Sequence, residues 1–287
     1  MNIDIDNLIN SVVNKLKLVK GIKAVVLGGS RADGSDRPDS DIDLGIYYDN
    51  PDGLDLAGIK EIANEINDTP NPIVTAIGEW GKWVNGGAWL TVQGQRVDFL
   101  YRDLNFVSQI IQDCKKGIKQ SDYYQQPPYG FHSYIYCAEI KICKVLFDPE
   151  NIIQKLKLEV KDYPQALKKT IINGFLWDAE FSLEHCKKFA QRGEVILVSG
   201  CLTRTASDFI QVLYTLNDTF FIGDKKLYKQ EPEFTVKPGD FLNRMDKILG
   251  NVGNSSVEIT QTVDSLKQLL EEFIGLAGLR YTPKFRK

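Results

Sequence analysis

The chain has 287 residues, which is enough for two modest domains or one large domain. Its formal net charge of −3 argues against a general nucleic-acid-binding protein, because such proteins normally carry a basic balance. The sequence contains no apolar run of roughly 18 residues, so no membrane-spanning helix is predicted.

The N-terminal segment and the cysteines indicate the cellular compartment in which the protein is expected. Residues 1–6 are acidic and lack the basic, apolar and small-residue layout of a secretory signal peptide. The five cysteines show no Cys-x-x-Cys spacing, which favours buried, reduced thiols. We therefore expect a cytoplasmic protein. The only two histidines, His132 and His185, do not make a metal site.

The first elements form a phosphate-binding pattern. An apolar stripe at helical spacing over residues 6–20 is followed by a short apolar strand over residues 23–27. That strand ends in Gly28-Gly29-Ser30, where two glycines allow the backbone to approach a ligand closely. Ser30 stands where a helix would begin, so its hydroxyl and the nearby N–H groups suit a phosphate oxygen. Arg31 is a further candidate contact to the phosphates.

Three carboxylates follow on predicted strands. Asp41 and Asp43 lie two residues apart in an apolar run, so both side chains emerge on one face of a strand. Such a pair suits Mg²⁺, which prefers oxygen ligands and substrate phosphates. A second alternating strand carries Asp98, and an adjacent antiparallel strand would bring it beside the first two. Three carboxylates can hold two metal ions about 3.5–4 Å apart, one at the attacking oxygen and one at the leaving phosphate.

Together these motifs resemble the DNA polymerase β-like nucleotidyltransferase superfamily. The resemblance is carried by Gly28-Gly29-Ser30, then Asp41-Ile42-Asp43, then Asp98, and it covers about the first third to two-fifths of the chain. Within the superfamily, the chain is most similar to small bacterial adenylyltransferases related to aminoglycoside and lincosamide nucleotidyltransferases. The resemblance implies an α+β fold, with a mixed sheet and flanking helices followed by a helical bundle.

The remaining elements fit that organisation. Residues 54–66 read as a helix, residues 73–77 as a strand and residues 89–98 as a β-hairpin. The tryptophan- and glycine-rich residues 78–89 suit either stacking on an adenine or sugar ring or a packed loop. Pro127-Pro128 suggests a domain boundary, which predicts a catalytic domain over residues 1–127 and a helical substrate-binding domain over residues 128–287. The first helix of the second domain is predicted over residues 132–147.

The helical part offers further candidates. Residues 217–226 resemble a Leu-Asn…Gly-Asp-Lys segment of small-molecule nucleotidyltransferases, which makes Lys225 and Lys226 candidate triphosphate contacts, with Arg204 as another cation. Related enzymes use an extra carboxylate as a general base, and among several acids we favour Glu180. A solvated pair explains Lys225 and Lys226 at least as well, and acids such as Glu180 are more often surface residues.

The resemblance implies an enzyme that uses ATP and two Mg²⁺ ions at Asp41, Asp43 and Asp98. It would move AMP to a hydroxyl of a small molecule, such as an aminoglycoside-like antibiotic, and release pyrophosphate. One alternative is a tRNA or protein acceptor, as in toxin–antitoxin enzymes, although the acidic balance argues against tRNA. Another is a non-catalytic nucleotide-binding module. The sequence leaves the acceptor, the choice of nucleotide and the oligomeric state open, a homodimer being one option.

Overall fold

The computed structural model describes residues 4–285. The α-helices, numbered in chain order, are α1 (Ile5–Leu16), α2 (Gly29–Asp33), α3 (Leu56–Ile66), α4 (Gly81–Val84), α5 (Leu104–Lys115), α6 (Ile135–Ile142), α7 (Ile152–Glu159), α8 (Gln165–Gln191), α9 (Val195–Leu216), α10 (Leu227–Gln230), α11 (Phe241–Gly250) and α12 (Ser256–Ala277). Of these, α2, α4 and α10 are short helical turns. The strands are β1 (Ala24–Leu27), β2 (Ile42–Tyr48), β3 (Ile73–Val74), β4 (Gly87–Val92), β5 (Gln95–Asp103), β6 (Ser121–Asp122), β7 (Phe131–His132) and β8 (Lys144–Phe147).

The chain divides into two compact units, and each unit is made of two segments. The first unit comprises Met1–Gln112 and Tyr136–Lys161, and the second comprises Asp113–Ile135 and Asp162–Lys287. The sequence-based division at residue 127 differs from this partition, because the chain returns to the first unit to add β8 and α7.

The first unit is built on a six-stranded mixed sheet in the order β3-β4-β5-β2-β1-β8. Its two central neighbours, β2 and β5, pair in parallel, whereas the other neighbouring strands are antiparallel. The mixed sheet was predicted, but the expectation that the strand of Asp98 lies antiparallel beside the strand of Asp43 was wrong, since β5 and β2 run parallel. The parallel pairing follows from the long connection through α3, β3 and β4, which lets the chain re-enter the sheet in the same direction.

One face of this sheet holds the core of the first unit. Ile42, Leu44 and Ile46 of β2 are buried in one apolar cluster with the helical stripe of α1 and with Ile59 of α3. Because side chains alternate along a strand, Asp43 lies on the opposite face of β2. The fold therefore buries the apolar residues of this strand on one face and places the carboxylate of Asp43 on the other.

The second unit is mainly helical. The long helices α8, α9 and α12 pack against one another, and the short strands β6 and β7 form a separate antiparallel pair. The structure thus confirms the α+β class, with the mixed sheet in the N-terminal part and a helical C-terminal region. No helix within residues 4–285 is long and apolar enough to cross a membrane.

Candidate active site

The glycine turn after β1 lies directly against Asp43. Gly28 adopts an extended conformation, and its N–H donates to the carbonyl oxygen of Asp43 at 2.8 Å. Gly29 has a φ of +61°, and a Cβ atom at this position would lie 1.8 Å from Oδ2 of Asp43. Both the left-handed backbone and the close approach therefore require glycine. Ser30 follows in the short helix α2.

Two of the predicted acids are in register on the central strands. Asp43 of β2 pairs with Asp98 of β5 in the parallel ladder, so their Cα atoms face each other across neighbouring strands. Both residues are half-buried, whereas Ile42, Leu44 and Phe99 beside them are fully buried. The alternation predicted from the sequence therefore places these two carboxylates together next to the glycine turn.

The third predicted acid is engaged with a cation. Asp41 precedes β2, and its Oδ1 lies 3.2 Å from Nε of Arg96, whose side chain is 64% exposed. Across residues 4–285, no three His, Cys, Asp or Glu side chains converge as a group that could hold a metal ion. The carboxylates of Asp43 and Asp98, with the glycine backbone against Asp43, are of the oxygen-ligand type that divalent cations prefer.

Arg31 contacts the protein backbone at this site. Its Nη2 donates to the carbonyl oxygen of Ser40 at 2.6 Å, and its Nε lies 3.2 Å from the carbonyl oxygens of Ser40 and Asp41. The side chain is buried and also pairs with Asp36. Nε2 of Gln95 donates to the same Ser40 carbonyl at 2.8 Å. Arg31 therefore holds the segment that delivers Asp41, a role that the sequence alone did not reveal.

The tryptophan-rich residues form a packed loop. Trp80 and Trp89 stack on each other with ring centroids 4.5 Å apart, and Trp83 is buried. The hydroxyl of Tyr136 donates to the carbonyl oxygen of Trp83. Of the two interpretations left open by the sequence, these contacts favour the packed loop.

The remaining candidates belong to the second unit. Glu180 is buried on α8, and it accepts hydrogen bonds from the hydroxyl of Tyr281 and, at 3.0 Å, from the N–H of Lys284. These bonds tie the C-terminal segment to α8. Lys225 is exposed and Lys226 half-buried in a short 3₁₀ turn. The catalytic role of Glu180 and the phosphate contacts of the two lysines stay predictions.

Two family models match the chain. Residues 10–75 match the polymerase β nucleotidyltransferase family, and residues 136–226 match a domain of unknown function, DUF4037. The first match covers the glycine turn, Asp41 and Asp43, the residues from which the superfamily was predicted. The prediction is confirmed for this segment: residues 10–75 match the polymerase β nucleotidyltransferase family.

No curated protein matches the chain. Among solved structures, the chain is similar to a nucleotidyltransferase-like protein from Exiguobacterium sibiricum 255-15. The two sequences are 8% identical, and the superposition has a TM-score of 0.46 over 96% of this chain and 76% of that chain.

Proposed function

We propose that the protein is a Mg²⁺-dependent nucleotidyltransferase that moves AMP from ATP to a hydroxyl of a small molecule and releases pyrophosphate. The observation that carries this proposal is the in-register pair of Asp43 and Asp98 beside the glycine turn. The two carboxylates would supply oxygen ligands for a metal cation, and the glycine backbone beside them would allow the phosphates of a nucleotide to approach closely.

The residues have separate tasks in this proposal. Asp41, Asp43 and Asp98 would hold two Mg²⁺ ions, which would neutralise charge on the phosphates and lower the pKa of the acceptor hydroxyl. Gly28, Gly29 and Ser30 admit the phosphates beside Asp43. Arg31 keeps the backbone at Ser40 and Asp41 in place through its three hydrogen-bonding contacts. Because Arg31 holds the backbone at Ser40 and Asp41 through these contacts, this part of the site needs little reorganisation when substrate binds.

The second unit supplies the remaining parts of the proposal. Lys225 and Lys226 are proposed to contact the triphosphate, because cations stabilise the charge that the metals do not cancel. Glu180 is proposed as the general base. The hydrogen bonds from Tyr281 and Lys284 both reach its Oε2. We propose an aminoglycoside-like acceptor and the cytoplasm as the site of action, as the resemblance and the cysteine pattern suggested.

The test is pyrophosphate release from each of the four nucleoside triphosphates with Mg²⁺, screened against aminoglycosides, lincosamides and bulk tRNA. We expect release that requires ATP and a small acceptor and that stops when EDTA removes the metal. Asp43→Asn and Asp98→Asn should each lower the rate by more than about 100-fold, since loss of even an outer-sphere ligand costs 10–100-fold. Asp39→Asn, in the exposed loop before β2, is the matched control.

A direct measurement of Mg²⁺ and ATP binding distinguishes the reasons for which the transfer assay could fail. Calorimetry with Mg²⁺ and ATP should give a binding signal in the unaltered protein and a weaker one in Asp43→Asn. Release only with tRNA would replace the small acceptor by a nucleic acid. Nucleotide binding without release for any acceptor would favour a non-catalytic module, and full activity in Asp43→Asn would exclude the proposed metal site.

A further inference from the structure

The second unit contains a cavity of about 420 Å³ that the proposed transfer does not use. One wall is a face of α9, where Gly200, Arg204 and Asp208 recur at intervals of four residues and so project from the same side of the helix. The aromatic residues Tyr123 and Tyr129, from the segment before β7, also line the cavity. The volume lies in the range of small-molecule binding sites, roughly 300–1,000 Å³.

Two polar groups in this wall are buried and unsatisfied. Asp208 is 1% exposed and Ser207 is 5% exposed. Within residues 4–285, Oδ2 of Asp208 and Oγ of Ser207 have no hydrogen-bond partner. A buried polar group without a partner destabilises a fold, so such atoms need an explanation. A ligand that hydrogen-bonds to them from the cavity provides one.

The surrounding charges favour an uncharged ligand. The acids Asp178 and Asp208 are matched by Arg204 and Lys119, and Nε of Arg204 lies 3.1 Å from Oδ2 of Asp178. Burial raises the pKa of Asp208 well above its usual range, and Asp178 adds to this effect, while Arg204 and Lys119 oppose it. The carboxyl oxygen of Asp208 can accept a hydrogen bond, and the hydroxyl of Ser207 can both donate and accept one. Hydroxyl groups of a ligand have the same dual capacity.

We propose that this cavity binds a small, uncharged, polyhydroxylated ring compound of the sugar or cyclitol class. Asp208 and Ser207 hydrogen-bond to its hydroxyl groups, and the rings of Tyr123 and Tyr129 cover its less polar face. The proposal concerns binding within the second unit and does not depend on nucleotidyl transfer.

The test measures binding of glucose, galactose and myo-inositol by saturation-transfer NMR, with glucosamine as a charged comparison. Gly200→Leu should abolish binding, since a Cβ at this helical position meets nothing within 4 Å and the larger side chain would fill the cavity. Gly174→Leu, at an exposed helical position with the same open surroundings on α8, should bind as the unaltered protein does. Binding by none of the three uncharged compounds, or equal binding in Gly200→Leu, would overturn the proposal.

Asp208→Leu separates a ligand-binding role from a structural one. Replacing an unsatisfied buried carboxyl group by an apolar group of similar size should leave the urea unfolding midpoint unchanged or raise it. Binding of the same compounds should weaken by at least about tenfold, as expected for the loss of a good hydrogen bond. A lower midpoint with unchanged binding, or binding of glucosamine alone, would contradict the assignment of Asp208 to an uncharged ligand.

Discussion

A single methyl group at position 29 decides whether the candidate metal site can form. The Cβ of Gly29→Ala would fall 1.8 Å from Oδ2 of Asp43, and the residue has a left-handed φ of +61°. We expect this variant to displace the Asp43 carboxylate and to lower nucleotidyl transfer by about 100-fold, the cost of a misplacement of about 1 Å. Pyrophosphate release measures the effect.

Gly34→Ala is the matched control for that prediction. Gly34 also has a left-handed φ, +72°, but a Cβ at this position meets nothing within 4 Å. Both variants should therefore lose stability by about 1 kcal/mol or more from backbone strain, and only Gly29→Ala should lose activity. Equal activity in the two variants would show that the approach of Gly29 to Asp43 has no role in transfer.

We expect His132 to make the stability of the second unit depend on pH. The residue is fully buried, and burial lowers its pKa from 6.5 to about 3, with a smaller contribution from Lys119. Below pH 6.5 the unfolded chain binds a proton that the folded chain does not, so stability falls as the pH falls toward 3. The slope approaches about 1.4 kcal/mol per pH unit.

The measurement is urea unfolding at several pH values for the unaltered protein, His132→Phe and His185→Gln. His132→Phe should remove this part of the pH dependence, because the substitute keeps an aromatic ring beside Tyr134 and Phe175 but cannot be protonated. His185 is exposed, so His185→Gln should retain the slope. A slope that survives in His132→Phe would assign the pH dependence to other groups.

At the scale of secondary-structure elements, the sequence predicted well which face of each strand is buried. It predicted less well which strands pair and in which direction. The alternation around Asp43 and Asp98 correctly placed both acids opposite the core, because residue burial on a half-buried strand follows directly from period two. The direction of their pairing was wrong, since it depends on the path of the intervening chain. The predicted helix over residues 132–147 is shorter, and Lys144–Phe147 forms β8.

The error at β8 has a physical cause. A short apolar run of four residues fits the end of a helix as well as a buried strand, so periodicity cannot separate them. The run forms strand β8 because it pairs antiparallel with β1, which lies more than a hundred positions earlier in the sequence. Asp208 was missed for a related reason: its burial is set by the tertiary packing around α9, and nothing in the local pattern signals it.

At the scale of the whole molecule, the interleaving of the two units predicts which fragments can fold. The first unit needs Tyr136–Lys161, because β8 covers the edge of β1 and because Glu139 pairs with the buried Arg102. Nε and Nη2 of Arg102 donate to the Glu139 carboxylate at 2.9 and 3.0 Å. A chain that stops before α6 lacks both features.

We therefore expect a fragment of residues 1–161 to unfold cooperatively in urea, and a fragment of residues 1–127 not to do so. Removing one partner of a fully buried ion pair costs about 3–5 kcal/mol; because the Glu139 side chain is 29% exposed, we expect a smaller loss, which is still a substantial share of the roughly 5–15 kcal/mol stability of a domain. Far-UV circular dichroism during urea titration measures both fragments. The variant Glu139→Gln in the 1–161 fragment isolates the ion pair and should lower the midpoint while leaving β8 in place. Cooperative unfolding of the 1–127 fragment at the midpoint of the longer one would instead support the domain boundary at residue 127, with β8 as a dispensable edge strand.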